Sequence, residues 1–320
     1  MGPSLEEFER AAALVHAVMP PTPQYRWPLL EARAGTEVWV KHENHLPVGA
    51  FKVRGGIVYM AALRQRTPEV TGVIAATRGN HGQSIALAAT RAGLHPVIIV
   101  PRGNSPEKNA AMAALGAELI EHGSDFQAAF EHAERLAGER NLHFVRSFDP
   151  TLILGVGSAA LELFRAVERI DAVYVPVGMG SGLCAAIAVR DALGLDTEVI
   201  GVVAAGAPAY ALSFAAGKVV ATNRADTIAD GMACRVPVAS AVEQICAGAA
   251  RIVTVEDAEI RAAMRHYFTD THNIAEGAGA APLAALLQER DRMQGRRVAL
   301  ILTGGNVDRD LFAEVLAESD

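Results

Sequence analysis

Residues 72–83 read Gly72-Val73-Ile74-Ala75-Ala76-Thr77-Arg78-Gly79-Asn80-His81-Gly82-Gln83. A short apolar run passes directly into a polar loop carrying glycine, and the loop passes directly into an alanine-rich helical stretch. The same order of strand, loop and helix recurs along the chain. The spacing predicts strands at 37–41, 72–76, 96–100, 118–121, 143–146, 172–176, 198–203, 251–255 and 298–303. Helices are predicted at 55–66, 81–92, 106–115, 125–138, 152–169, 183–193, 256–272, 280–290 and 308–318. Several strands are apolar on both faces, as expected where helices cover each side of a sheet. Regular alternation of this kind defines an α/β fold with mostly parallel sheet. These strands are many for one open sheet, so two doubly wound parallel-sheet domains with a ligand cleft between them are expected. Residues 1–65 and 145–320 are assigned to a large domain and 66–144 to a small one.

Working outward, the stretch Gly49-Ala50-Phe51-Lys52-Val53-Arg54-Gly55-Gly56 holds a lysine between a small-residue turn and a helix start. Apolar neighbours surround Lys52, and the flanking glycines let backbone approach a ligand closely. Burial lowers a lysine pKa, and a neutral amine is what condenses with an aldehyde. The ordinary alternative is a lysine that snorkels from the start of a helix.

Three loops follow predicted strands, where α/β folds bind ligands. Thr77-Arg78-Gly79-Asn80-His81-Gly82-Gln83 clusters donors at a helix N-terminus, a ready anion site. Gly178-Met179-Gly180-Ser181-Gly182 opens another helix with glycine-rich N–H groups, which can cradle a phosphate without a cationic side chain. Thr303-Gly304-Gly305-Asn306 follows the last strand. Each has a plain alternative: a tight turn, a helix cap at Asn80 or His81, or a strand-end hydroxyl bonded to backbone. Taken together they provide partners for an aldehyde, a phosphate, a phenolic oxygen and a pyridine nitrogen, the four groups of pyridoxal phosphate.

Composition narrows the rest. The 320 residues are 51% hydrophobic with a net charge of −7, and no run of lysine or arginine exceeds two. Nucleic acid and anionic membrane are poor partners for such a surface. The first ten residues are acidic and lack the apolar core of a secretory signal. No apolar stretch reaches the ~18 residues of a membrane span, so a cytoplasmic protein is expected. Cys184, Cys234 and Cys246 show no CxxC spacing, which indicates neither a disulfide framework nor a zinc site.

The ordered set Lys41-His42-Glu43-Asn44, Gly49 to Gly55, Gly79 to Gln83, Thr227-Ile228-Ala229-Asp230-Gly231 and Gly304-Gly305-Asn306 resembles the threonine/serine dehydratase family. These are fold-type II, tryptophan-synthase-β-like pyridoxal-phosphate enzymes, and the resemblance extends to a phenylserine-dehydratase-like member. It runs from about residue 21 to 306. It implies that Lys52 holds the cofactor in Schiff-base linkage and then acts as general base, with Phe51 packed beside the ring. It further implies Asn80 on the phenolic oxygen, Gly178, Met179, Gly180, Ser181 and Gly182 on the phosphate, Gly231 at the ring face and Thr303 at the pyridine nitrogen. Thr77, Arg78, Gly79, Asn80 and His81 would take the substrate carboxylate.

The implied reaction is a dehydratase, or ammonia-lyase, acting on threonine, serine or a 3-phenylserine-like β-hydroxy amino acid. A homodimer is expected, with no metal and no regulatory domain. Four departures from the family stand out: the longer glycine loop, the absence of a carboxylate in residues 203–209, a threonine rather than a serine at 303, and Arg78 in place of a small residue or a serine base. An amino-acid racemase or a non-catalytic cofactor-binding protein are the competing readings.

Overall fold

The computed structural model describes residues 2–319. Ten strands are present among them: β1 Gln24–Arg26, β2 Glu37–His42, β3 Gly72–Ala76, β4 His95–Val100, β5 Glu118–Glu121, β6 His143–Phe144, β7 Ala172–Pro176, β8 Glu198–Ala204, β9 Arg251–Val255 and β10 Arg297–Leu302. They form a six-stranded sheet ordered β1-β2-β10-β7-β8-β9 and a four-stranded sheet ordered β5-β4-β3-β6. Every pairing is parallel except β1 with β2. The protein is thus an α/β structure with two parallel sheets, as the alternation of the sequence implies.

The strand orders fix where a ligand can bind. In the smaller sheet β4 and β6 flank β3, so the chain leaves β3 at a switch point. In the larger sheet β8 and β10 flank β7 in the same way. Crevices open at the carboxyl ends of strands where the order reverses. The loops after β3, β7 and β10 therefore face cleft-lining positions for topological reasons.

Two helices carry the connection between the sheets. Lys52–Arg66 packs on Pro150–Ala166 and on Asn80–Arg91. Gly55 and Gly155 let the first two helices meet backbone to backbone. A Cβ on Gly155 would lie 2.3 Å from the Arg54 carbonyl, and one on Gly55 would lie 2.8 Å from that of Leu152.

A buried ion network locks this crossing. The Arg54 guanidinium grips Glu43 at 2.6 and 2.9 Å and Glu162 at 2.6 and 2.9 Å. Lys41 donates to the same Glu162 at 2.6 Å and to the Thr22 carbonyl at 2.7 Å. All four charged side chains are shut away from water, two cations against two carboxylates. The planar guanidinium fork holds both carboxylates bidentately, which the single nitrogen of a lysine could not do.

The structure adds elements absent from the sequence reading. β1 is three exposed or half-buried residues with no period to read. Leu5–His16, Pro28–Ala34, Ala209–Ala216 and Ala239–Gly248 are helices not expected from the pattern. The predicted helix at 55–66 begins three residues earlier, so Lys52 is its first residue. The predicted strand at 143–146 is cut to two residues.

Removing Glu162 should leave two buried cations, Arg54 and Lys41, with Glu43 as their one remaining carboxylate. Glu162→Ala is expected to lose about 3–5 kcal/mol of stability, the usual cost of breaking a buried pair. Urea unfolding followed by the fluorescence of Trp27 and Trp39 measures this. A loss under ~1 kcal/mol would place the pair in the class of surface ion pairs.

Candidate active site

Lys52 opens its helix after Phe51, whose N–H donates to the Thr303 carbonyl at 2.9 Å. Ala50 forms an isolated antiparallel bridge with Gly304, so the lysine loop is pinned to the end of β10. Gly49 is required here: its φ is +66°, and a Cβ would sit 2.6 Å from Asn306 Oδ1. Lys52 Nζ lies 2.8 Å from Ser181 Oγ and 5.2 Å from the Phe51 ring centre. Ser84 holds the Lys52 carbonyl at 2.7 Å. No carboxylate pairs with this amine among the described residues, and burial lowers its pKa to about 8. His81, beside it, is pushed down to about 3, first by burial and then by the lysine charge, and so stays neutral.

The loop after β7 leads into the helix Ser181–Ala192, with Gly180 as its cap at φ +95°. A Cβ on Gly178 would lie 2.0 Å from the Gly231 carbonyl, so these two loops are in backbone contact. The Met179 carbonyl accepts from the Tyr210 hydroxyl at 2.8 Å, which fixes the loop from behind. Free N–H groups at the head of a full helix make an anion cradle.

The loop after β3 places Asn80 as the first residue of the helix Asn80–Arg91, not as its cap, which is Gly79. Thr77 is buried, and its hydroxyl accepts from the Gly79 N–H at 3.0 Å. Arg78 is exposed at the edge of the cleft. Asn80 Nδ2 donates to Glu276 Oε1 at 2.7 Å, and Asn80 Oδ1 accepts from Asn306 Nδ2 at 2.8 Å.

One cavity of about 920 Å³ gathers these parts. Phe51, Lys52, Thr77, Arg78, Gly79, Asn80, His81, Gly178, Met179, Gly180, Ser181, Gly182, Gly231 and Thr303 all line it. So every residue given a cofactor or substrate role from the sequence lines the same space, while Gly82, Gln83 and Gly304 to Asn306 of the same loops do not. Sequence reasoning missed Glu276 and Lys108, and gave no role to Asp230, which it noted only as part of the 227–231 motif; all three also line the cavity. Lys108 reaches Asp230 at 2.8 Å from the helix Pro106–Ala114. Glu276 is buried and its pKa is raised to about 7: burial drives it up, Lys108 and Asn80 pull it down, and Asp230 pushes it up. Its sequence signal was a lone acid before Gly277-Ala278-Gly279. Lys108 lies on a helix that the local pattern leaves unremarkable. No group of three or more His, Cys, Asp and Glu side chains among the described residues could hold a metal ion.

Comparison with known proteins places this geometry. Residues 17–304 match the family described as pyridoxal-phosphate dependent enzyme, and the chain belongs to that family. It is 34% identical over 313 residues to L-threonine dehydratase biosynthetic IlvA of Pasteurella multocida, covering 96% of this chain and 60% of that protein. It is 32% identical over 315 residues to L-threonine ammonia-lyase of Thermotoga maritima, covering 98% of this chain and 78% of that one. The chain thus spans less than two thirds of the first relative's length. A solved pyridoxal 5'-phosphate-dependent aspartate racemase superposes with a TM-score of 0.90 at 28% identity, covering 96% and 97% of the two chains.

The residues fit that cofactor. A lysine without a carboxylate partner, a glycine cradle that a Cβ would fill and a helix head are set around one cavity. Two measurements test the arrangement. Capture of pyridoxal phosphate by Lys52 should speed up as pH rises and level off above about 8, because the amine is protonated below that pH and free above it. A midpoint near 10.5, the ordinary lysine value, would show an exposed amine. Gly178→Ala should keep its circular dichroism and lose cofactor binding, since its Cβ has no room beside Gly231.

Proposed function

We propose that the protein is a pyridoxal-phosphate-dependent dehydratase, an ammonia-lyase that converts a β-hydroxy amino acid to a 2-oxo acid and ammonia. The observation that carries this reading is Lys52: an enclosed amine, depressed toward neutrality by burial, beside a helix-head cradle. Bound pyridoxal phosphate supplies an aldehyde for amines and a conjugated ring that draws electrons from the substrate Cα.

The residues of the chain do the rest. Lys52 Nζ would anchor the cofactor and, as a free amine, would take the Cα proton of the substrate. Ser181 Oγ, 2.8 Å away, holds that amine in place. The N–H groups of residues 178–182 take the phosphate, and Asn80 donates to the phenolic oxygen. The head of the helix Asn80–Arg91 takes the substrate carboxylate. Thr303 would meet the pyridine nitrogen with a neutral hydroxyl, which cannot support a lasting positive charge there. The β-hydroxyl would then leave promptly as water, taking the proton that Lys52 removed from Cα. Hydrolysis of the resulting enamine gives the 2-oxo acid and ammonia.

Support for the substrate class comes from both relatives, one named a threonine dehydratase and one a threonine ammonia-lyase. The cavity also runs on to Phe126, Phe130 and Val236. That apolar room exceeds a threonine methyl and supports a β-aryl side chain such as that of 3-phenylserine. A racemase reading is favoured by the fold likeness to the aspartate racemase. Racemisation needs a second base on the opposite face of the substrate. A guanidinium such as that of Arg78 is no base in a protein, and burial pushes His81 down to about 3, so the loop after β3 offers a poor one.

Release of ammonia and 2-oxo acid from L-threonine, L-serine and 3-phenylserine, read beside formation of the inverted enantiomer, decides between the two. Elimination is expected, with Lys52→Ala at least 10³-fold slower, on the order of a lost general base and anchor. Inversion without ammonia would establish the racemase instead. Arg78→Ala should raise KM and leave the bound-cofactor spectrum unchanged.

A further inference from the structure

Glu276 is a buried ionisable group in the cavity for which the roles above have no use. We propose that Glu276 is a positioning residue: it locks the Asn80 amide so that one N–H is held by the carboxylate and the other points at the cofactor's phenolic oxygen. This rests on the reading that Asn80 serves that oxygen.

The orientation follows from a single backbone carbonyl. The Val48 oxygen can only accept, so the Asn306 side-chain atom 2.8 Å from it is the nitrogen. That nitrogen carries two hydrogens and gives the second to the Asn80 atom at 2.8 Å, which is therefore the oxygen. The Asn80 nitrogen must then turn to Glu276 Oε1, at 2.7 Å. One of its two hydrogens is engaged there. The other has no hydrogen-bond partner among the described residues and is left for a ligand. Without an acceptor at position 276 the amide loses the contact that holds this second hydrogen in place.

Several elements press on the carboxyl. Gly304 makes room for it at the end of β10, where a Cβ would stand 2.7 Å from Oε1. The helix Asn80–Arg91 presents the neutral Asn80 amide. The charged groups that face Glu276 are Lys108, from the helix Pro106–Ala114, and Asp230, from the turn Asp230–Met232. Asp308 acts on Lys108 instead. Burial raises the carboxyl to about 7, so it is neutral below that pH and anionic above it. An anion accepts a stronger hydrogen bond than a neutral acid. The grip on Asn80 therefore tightens as pH rises through neutrality.

The holoenzyme, stripped of cofactor and reconstituted, provides the test. Pyridoxal phosphate affinity and visible absorption are measured from about pH 6 to 8.5, a range that brackets both shifted groups, for the wild type, Glu276→Gln and Glu276→Ala. Glu276→Ala is expected to bind about tenfold more weakly, the scale of one hydrogen bond to a charged group, and to shift the absorption band. Glu276→Gln, whose carbonyl still accepts from Asn80, should restore binding to near the wild-type level. The wild type should show a transition near pH 7 that Glu276→Gln lacks, distinct from that of Lys52 near 8. Wild-type affinity and spectrum in Glu276→Ala would overturn the proposal, as would a transition near pH 7 that persists in Glu276→Gln. The glutamine variant decides alone if the alanine variant does not fold. None of these readouts involves turnover, so a protein that binds cofactor but releases no ammonia would fail the dehydratase reading and leave this one standing.

Discussion

The Arg54 guanidinium is the constraint on which the arrangement turns. It cannot give up its proton, so its complete burial obliges the fold to supply two carboxylates in bidentate reach. Glu43 comes from the segment after β2 and Glu162 from the helix Pro150–Ala166. Those two elements and the helix that carries Arg54 are thereby clamped in one geometry. Lys52 stands two residues before Arg54, at the head of that helix. The position of the site lysine is therefore set by a charge cluster that itself touches no ligand. The backbone contact at Gly55 and Gly155 complements the cluster, since larger side chains would hold the helices too far apart for the guanidinium to reach both partners.

The cavity shows what enclosure does to charge. Lys52 has no carboxylate partner and drifts down; Glu276 has a cation in view but is enclosed enough to drift up. Both come to rest near neutral pH from opposite sides. Two ionisable groups moved toward neutrality in one cleft are characteristic of sites that handle protons. Lys108 and Asp230, paired at 2.8 Å, complete the charge pattern of the cavity.

Most of the sheet was legible because buried parallel strands are short, apolar and bounded by turn residues. Nine of the ten strands announce themselves that way, β6 only as a two-residue remnant. β1 does not, since it is an exposed edge segment paired antiparallel to its neighbour. The first helix carried a usable signal in the capping box of Ser4 and Glu7. Pro28–Ala34, Ala209–Ala216 and Ala239–Gly248 did not, because short or nearly uniform apolar stretches give little periodicity to follow.

The sequence by itself determined the fold class and the residues of the three ligand loops. Strand–loop–helix order is a local property, and loops at strand ends fall where parallel sheets open. It also marked Lys52, because a lysine among apolar residues and glycines is anomalous in any fold. Only the tertiary structure decided which amine is depressed and which carboxyl is raised, since burial depends on what packs above a residue. Only it joined Glu276 to Asn80, 196 positions apart in the chain. Hydrogen bonds over such separations leave no periodic trace, because direction and distance are fixed by the crossing of helices and not by spacing along the backbone.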